Sequence, residues 1–331
     1  MILLRHKAIS CLLSLCILSS FGIAAAESPS EHFKTLVNAY PGDKTDLSQL
    51  HPVEFNQLYA KVKDHFSREE LKAVLSKTAA IQLDEFHMKR IVFVASPDSV
   101  RVQSQQHVDW VPKLVNDETL KKGVTFFQQH NATFKRAYQK TGVKPQDIIA
   151  ILNWESRLGE QKGQYDIFKI FVGQAFYIDD IEKKLYREGA YNKEGAMPRD
   201  EALKRIERIK QRALTNLGET LIQSRKIGID PYSIKGSWAG AIGIPQFMPA
   251  SMGYAADGDG DGIIDLNTIP DSILSVSTYL QRNGYHSKGS KYAFKRYNQD
   301  EMYMRGVSLY SEEVEKRGVN NVSSWIYQEN K

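Results

Sequence analysis

One carboxylate stands where the sequence pattern asks for an apolar residue. Residues 143–159 read V-K-P-Q-D-I-I-A-I-L-N-W-E-S-R-L-G, and Ile148, Ile151 and Leu152 recur at i, i+3 and i+4, the spacing of a buried helical stripe. The next place on the stripe, i+7, is Glu155. A carboxyl group there is either solvated and paired with Arg157 or Lys162, or enclosed in a cleft. Burial without a cationic partner raises a carboxyl pKa towards neutrality, which suits a general acid.

A second set of carboxylates is a cation loop. In D-G-D-G-D-G-I-I-D (257–265), Asp257, Asp259 and Asp261 fall at positions 1, 3 and 5 of an EF-hand pattern, with Gly262 at position 6 and the Ile263 carbonyl at position 7. The pattern gathers hard oxygen donors around one ion, and the expected ion is Ca2+ in a structural role. Position 12 is Thr268 instead of a bidentate Glu, so this is not a standard EF-hand, and Asp271 is the candidate closing ligand. Just upstream lies K-G-S-W-A-G-A-I-G-I-P-Q-F-M-P (235–249). Gly236, Gly240 and Gly243 let backbone come close to a ligand, or alternatively allow tight helix–helix packing. Ser237 and Gln246 are the polar groups that such a backbone would hold.

The elements that position these groups are mainly helical. Pro145 suits the first turn of the glutamate helix and Gly159 the residue past its end. Ser28-Pro-Ser-Glu31 and Ser67-Arg-Glu-Glu70 have the form of capping boxes. Asn116-Asp117 opens a helix carrying Leu120, Val124, Phe127, Phe134 and Tyr138. Residues 200–226 show a 3.6 period through Leu203, Ile206, Ile209, Ala213, Leu217 and Leu221, and residues 271–284 form a further helix. Residues 90–95 and 99–103 are the best strand candidates, and residues 189–198 a surface excursion between helices.

Residues 1–26 carry Arg5 and Lys7, an apolar run and Ala24-Ala25-Ala26, the form of a cleavable secretory signal peptide; an N-terminal membrane anchor is the alternative. Both cysteines, Cys11 and Cys16, lie within it, neither in a convincing lipid-attachment context, so the expected mature chain has no disulfide and no thiolate chemistry. Cleavage lowers the formal net charge from +5 to +3, since residues 1–26 contain no Asp or Glu. That is too mild for a nucleic-acid footprint. No H-E-x-x-H, G-x-S-x-G or phosphate-binding loop is present.

W-E-S-R-L-G, the glycine-rich segment, the aspartate loop and R-Y-N (296–298), in that order, resemble the membrane-bound lytic murein transglycosylase B family. The resemblance implies a mainly α, goose-type lysozyme-like catalytic domain with an EF-hand-like calcium loop. It covers residues 110–310, expected to be the catalytic domain; residues 1–26 are the expected signal peptide, 27–109 an N-terminal helical region of unassigned role and 311–331 a C-terminal tail. It also implies a periplasmic enzyme that cuts the β-1,4 bond between N-acetylmuramic acid and N-acetylglucosamine in peptidoglycan glycan strands, leaving a 1,6-anhydromuramyl end. Glu155 takes the role of single general acid and base, which agrees with the lack of an obvious second catalytic carboxylate. Ser237, Gln246, Tyr279, Tyr297, Asn298 and Tyr303 take substrate-binding roles, and Trp110 falls where the family carries an aromatic contact. Partners in cell-wall remodelling are compatible with this picture. The charged piece 166–235 departs from the family pattern. A hydrolytic muramidase, a non-catalytic wall-binding scaffold and a calcium-dependent adhesion module are the alternatives.

Overall fold

The computed structural model describes residues 28–38, 46–76, 85–93, 96–320 and 322–327; the expected signal peptide lies outside them. Helices dominate, and the regular β pairing among the described residues is one short antiparallel ladder, Tyr165–Asp166 against Lys235–Gly236. Residues 90–93 and 99–103 are helical, within Glu85–Phe93 and Pro97–Leu114, which corrects the strand expectation, and residues 94–95 lie outside the described residues. Val100 and Val102 alternate in sequence, but both are exposed on their helix. Met88, Ile91 and Val92 form a helical buried face instead, and tertiary burial overrides weak β propensity.

The helix Pro145–Ser156 is the axis of the first core. Its residues from Pro145 to Asn153 are all buried, so it is enclosed around its whole circumference and not on one stripe alone, with Gln146, Asp147 and Asn153 as its buried polar members. The C-terminal helix Glu301–Lys316, the helix Ile269–Arg282 and the helix Asp117–Gln129 pack around it. At its first turn, buried Asp147 accepts hydrogen bonds from the Ser311 hydroxyl (2.6 Å) and the Tyr285 hydroxyl. Burial pushes its pKa up, and the two hydroxyls offset part of that rise.

The far end of this helix is more abrupt than expected. It stops at Ser156, and Arg157 (φ 52°), Leu158 (φ 60°) and Gly159 (φ 95°) follow in the left-handed region. For Arg157 and Leu158 that conformation costs about 1–2 kcal/mol each. It persists because the turn is over-determined: Arg157 N–H reaches Asn153 O (3.0 Å), Leu158 N–H reaches Leu152 O (3.0 Å) and Gln161 N–H reaches Ser156 O (2.9 Å). The turn therefore leaves Glu155 at the penultimate helical position.

A second core joins N-terminal helices to the middle of the chain. Phe33, Phe55, Leu58 and Leu71 pack with Phe168, Phe171, Leu217 and Leu221, and with Ile242, Phe247 and Leu266. A third cluster joins the helix Glu85–Phe93 to Ile178–Arg187 and the first half of the long helix Arg199–Ile227. Residues before 110 thus share cores with residues 166–235, and the helix Glu301–Lys316 runs through position 310. Within the long helix, Leu203 is 45% exposed and leaves the buried stripe that its spacing suggests; Ala202 and Ile206 fill the third core there.

The caps explain the helix starts. Ser67 and Glu70 bond reciprocally (2.8 and 3.1 Å), and Glu31 N–H reaches the Ser28 hydroxyl (3.3 Å). Asn116 caps Asp117–Gln129 together with Thr119. The run expected to continue to Tyr138 breaks at His130, and a second helix, Asn131–Thr141, begins there.

One glycine sets how closely the first core closes. Gly306 faces Trp154, and a Cβ added there would stand 1.9 Å from the indole ring. Gly306→Ala is therefore expected to lower the stability by about 1–3 kcal/mol through overpacking. An unchanged midpoint in urea denaturation would contradict this packing.

Candidate active site

Glu155 is half-buried: part of its surface stays open, while the crowd of protein atoms around the carboxyl strips it of water. Burial pushes its pKa up to about 7, and the Tyr303 hydroxyl offsets only a little of this. No cation contributes, so the expected alternative of pairing with Arg157 or Lys162 is not realised. Lys162 instead donates to Asn267 O (3.1 Å). A carboxyl with this pKa carries a proton about half the time at neutral pH and can give it up and take it back.

Two tyrosines stand beside it, and a third packs on one of them. Tyr303, near the start of the C-terminal helix, is 3% exposed and meets Trp154 edge-on at 5.7 Å. Its hydroxyl makes no hydrogen bond of ordinary geometry, yet it sits close enough to Glu155 for the two groups to shift each other's pKa. Tyr297 also feels the Glu155 charge, and its hydroxyl donates to Pro245 O (2.6 Å). Burial first, then the neighbouring Glu155, raises both phenols well above their ordinary value, so both remain neutral donors. Tyr279 stacks edge-on with Tyr297 at 4.7 Å and with Tyr254 at 4.8 Å, and donates to Arg296 O (2.6 Å). Tyr279 and Tyr297 pack against both the first and the second core, which places this aromatic wall on the seam between them.

The glycine-rich segment forms the opposite support. Its glycines pack backbone against backbone and side chain, not helix against helix. A Cβ on Gly236 would meet Ala241 O at 2.0 Å, one on Gly240 the Phe171 ring at 2.3 Å, and one on Gly243 Leu266 O at 2.4 Å. The Ser237 hydroxyl accepts from Ala241 N–H (3.0 Å) and holds the turn. Gln246, at φ 52°, donates through Nε2 to Gly243 O (2.7 Å) and Lys162 O (3.2 Å), tying this segment to the strained loop after Glu155. Asn298 is exposed and its side chain accepts from Asp300 N–H (3.0 Å), closing the turn before the C-terminal helix. Trp110 lies on Pro97–Leu114 and is 39% exposed. Trp154, Phe247 and Tyr254 complete the aromatic surroundings, and only Trp154, adjacent to Glu155, carries a local sequence signal.

In the aspartate loop, carboxylate oxygens of Asp257, Asp259 and Asp271 lie within 4.8 Å of one another. Burial, then the charges of Asp259 and Asp257, raise the Asp271 pKa. Such a trio of hard oxygen donors fits a divalent cation. Asp261 stands outside the trio, its Oδ1 accepting from Ile263 N–H (2.7 Å), and Ile263 is 62% exposed. Arg136 donates twice to Gly258 O (3.3 and 3.0 Å) and anchors the loop to the first core.

The sequence profile described as "Transglycosylase SLT domain" matches residues 54–325. Membrane-bound lytic murein transglycosylase B of Escherichia coli (strain K12) is 30% identical over 227 residues, which cover 67% of this chain and 54% of that protein. The chain thus spans about half the length of that relative. The fold is similar to soluble lytic transglycosylase SltB1 from Pseudomonas aeruginosa, with a TM-score of 0.60 at 20% identity over 80% of this chain and 98% of the other. It is also similar to E. coli lytic transglycosylase Slt35 in complex with calcium, with a TM-score of 0.59 at 21% identity over 84% and 97% of the two chains. A mainly helical, lysozyme-like fold, an acid placed at a helix end and a profile that spans most of the sequence converge on one conclusion: this chain belongs to the transglycosylase SLT domain family.

Proposed function

We propose that the chain is a lytic transglycosylase acting on peptidoglycan glycan strands, with Glu155 as its single catalytic acid and base. The observation that carries this reading is a carboxyl group deprived of water and of any cation, with a pKa of about 7, on the seam between two cores. Family membership supplies the substrate class. Glu155 protonates the oxygen between N-acetylmuramic acid and N-acetylglucosamine, and the N-acetylglucosamine side leaves as an alcohol. The resulting carboxylate then takes the proton from the muramyl C6 hydroxyl as that oxygen bonds to C1. No water is consumed, and a 1,6-anhydro ring closes. Tyr303, held neutral, stabilises the Glu155 carboxylate between the two steps, and Tyr297 and Tyr279 shape the sugar site beside it. Ser237 and Gln246 keep the facing backbone in place for the sugar and its N-acetyl group, with Asn298 and Trp110 at more distant contacts.

Asp257, Asp259 and Asp271 would hold Ca2+, and the loop pattern offers Asp261 and the Ile263 carbonyl as further ligands. A bound ion would supply charge neutralisation and rigidity to the loop. The chain is exported through a cleavable signal peptide, residues 1–26, to the periplasm, where its substrate lies. No helix among the described residues is long and apolar enough to cross a membrane.

Mass spectrometry of muropeptides released from purified murein tests the reaction directly. A 1,6-anhydro end, lighter by one water than a reducing end and lost in Glu155→Gln, is expected; reducing ends would make the chain a muramidase. kcat/KM is expected to fall on the alkaline side with an apparent pKa near 7, because the proton donor is lost as Glu155 ionises. A rate that stays flat to pH 9 would contradict Glu155 as the acid. Calcium at one hundred times its Kd is expected to stabilise the fold by about 2.7 kcal/mol. A Tm unmoved by calcium or chelator would remove the ion from this account.

A further inference from the structure

Next to the glycine-rich segment lies a group of aromatic residues that the chemistry at Glu155 does not use. The helix Glu85–Phe93 buries Met88, Ile91 and Val92 in the third core and turns Phe86 and Arg90, four residues apart, outward. Phe86 is 70% exposed. The ring of His87 stacks on Trp238 at 5.5 Å and meets Tyr165 edge-on at 4.8 Å and Phe86 at 5.1 Å. The Arg90 guanidinium sits 4.3 Å from the centre of the Trp238 ring. Tyr165 is 40% exposed. Isolated surface aromatics need no explanation, but a contiguous group drawn from three separate stretches of chain does.

The group is continuous with the site. Trp238 follows Ser237, Tyr165 pairs with Gly236 in the short ladder, and Gly163 is close-packed on the backbone of Gly236 and Ser237. From there Lys162 O leads to Gln246, and Pro245 O to Tyr297 beside Glu155. Aromatic rings suit the apolar faces of sugar rings, and a wet rim of Arg and His suits their hydroxyl and acyl oxygens.

We propose that Phe86 and Tyr165, fixed by the His87–Trp238–Arg90 stack, form a distal platform for the same glycan strand and make the enzyme favour long strands. The inference rests on the reading of the chain as a glycan-cleaving enzyme. It gives the helix Glu85–Phe93 a role in substrate selection.

The test compares kcat/KM for long, uncrosslinked glycan strands with that for a tetrasaccharide, in the wild type and in Phe86→Ala/Tyr165→Ala. The wild-type ratio is expected to exceed one, and the double substitution to lower it about fivefold to tenfold. Binding of long strands to the Glu155→Gln protein, measured by calorimetry, is expected to weaken by a similar factor when the two rings are removed. A wild-type ratio of one, or a ratio and an affinity that survive the substitutions, overturns the platform while leaving the catalytic reading intact. Failure of the wild type to cleave either substrate overturns the catalytic reading itself.

Discussion

The structure depends on the desolvation of one carboxyl group. Removing water from Glu155 is unfavourable for its charged form, and only a rigid surround can maintain it. That surround is the first core. A helix buried on every side from Pro145 to Asn153 cannot shift to let solvent in, and the turn of left-handed residues stops it one residue past the acid. Asp147 anchors one end through Ser311 and Tyr285, and Trp154 against Gly306 anchors the other. Remote packing and local acidity are thus one property.

The second and third cores tie the N-terminal helices to the middle of the chain. Residues before 110 and the charged piece 166–235 together bury Phe33, Phe55, Phe168, Phe171, Leu217 and Leu221. Their combined mass backs the glycine-rich segment, since Ile242, Phe247 and Leu266 belong to the same core. Phe247 then touches Tyr279 and Tyr297, at 5.7 and 5.9 Å. The N-terminal region is connected in this way to the wall beside Glu155.

Much of this was legible in the sequence, for physical reasons that differ by element. Glu155 announced itself by breaking an apolar period, and Ser67, Glu70 and Asn116 marked helix starts because capping is a local interaction. Of the converging aspartates, Asp257 and Asp259 followed from the loop spacing and Asp271 from the missing carboxylate at position 12, whereas Asp261, also expected from the spacing, turns to its own backbone. What escaped was non-local. The fit of Trp154 against Gly306 joins distant positions, and the exposure of Leu203 depends on which face the third core covers. Residues 90–93 and 99–103 read as strands because short β-branched runs are ambiguous until their partners are known.

Asp271 has a consequence for the order of the aspartate loop. Its two oxygens already accept the Gly258 and Asp265 N–H groups at 2.7 Å each, and Asp257 spans the Gly260 and Gly262 N–H groups at 2.6 and 2.8 Å. The chain's own amides therefore order the loop, and on the proposed reading of it as a cation site an ion would meet backbone that is already folded.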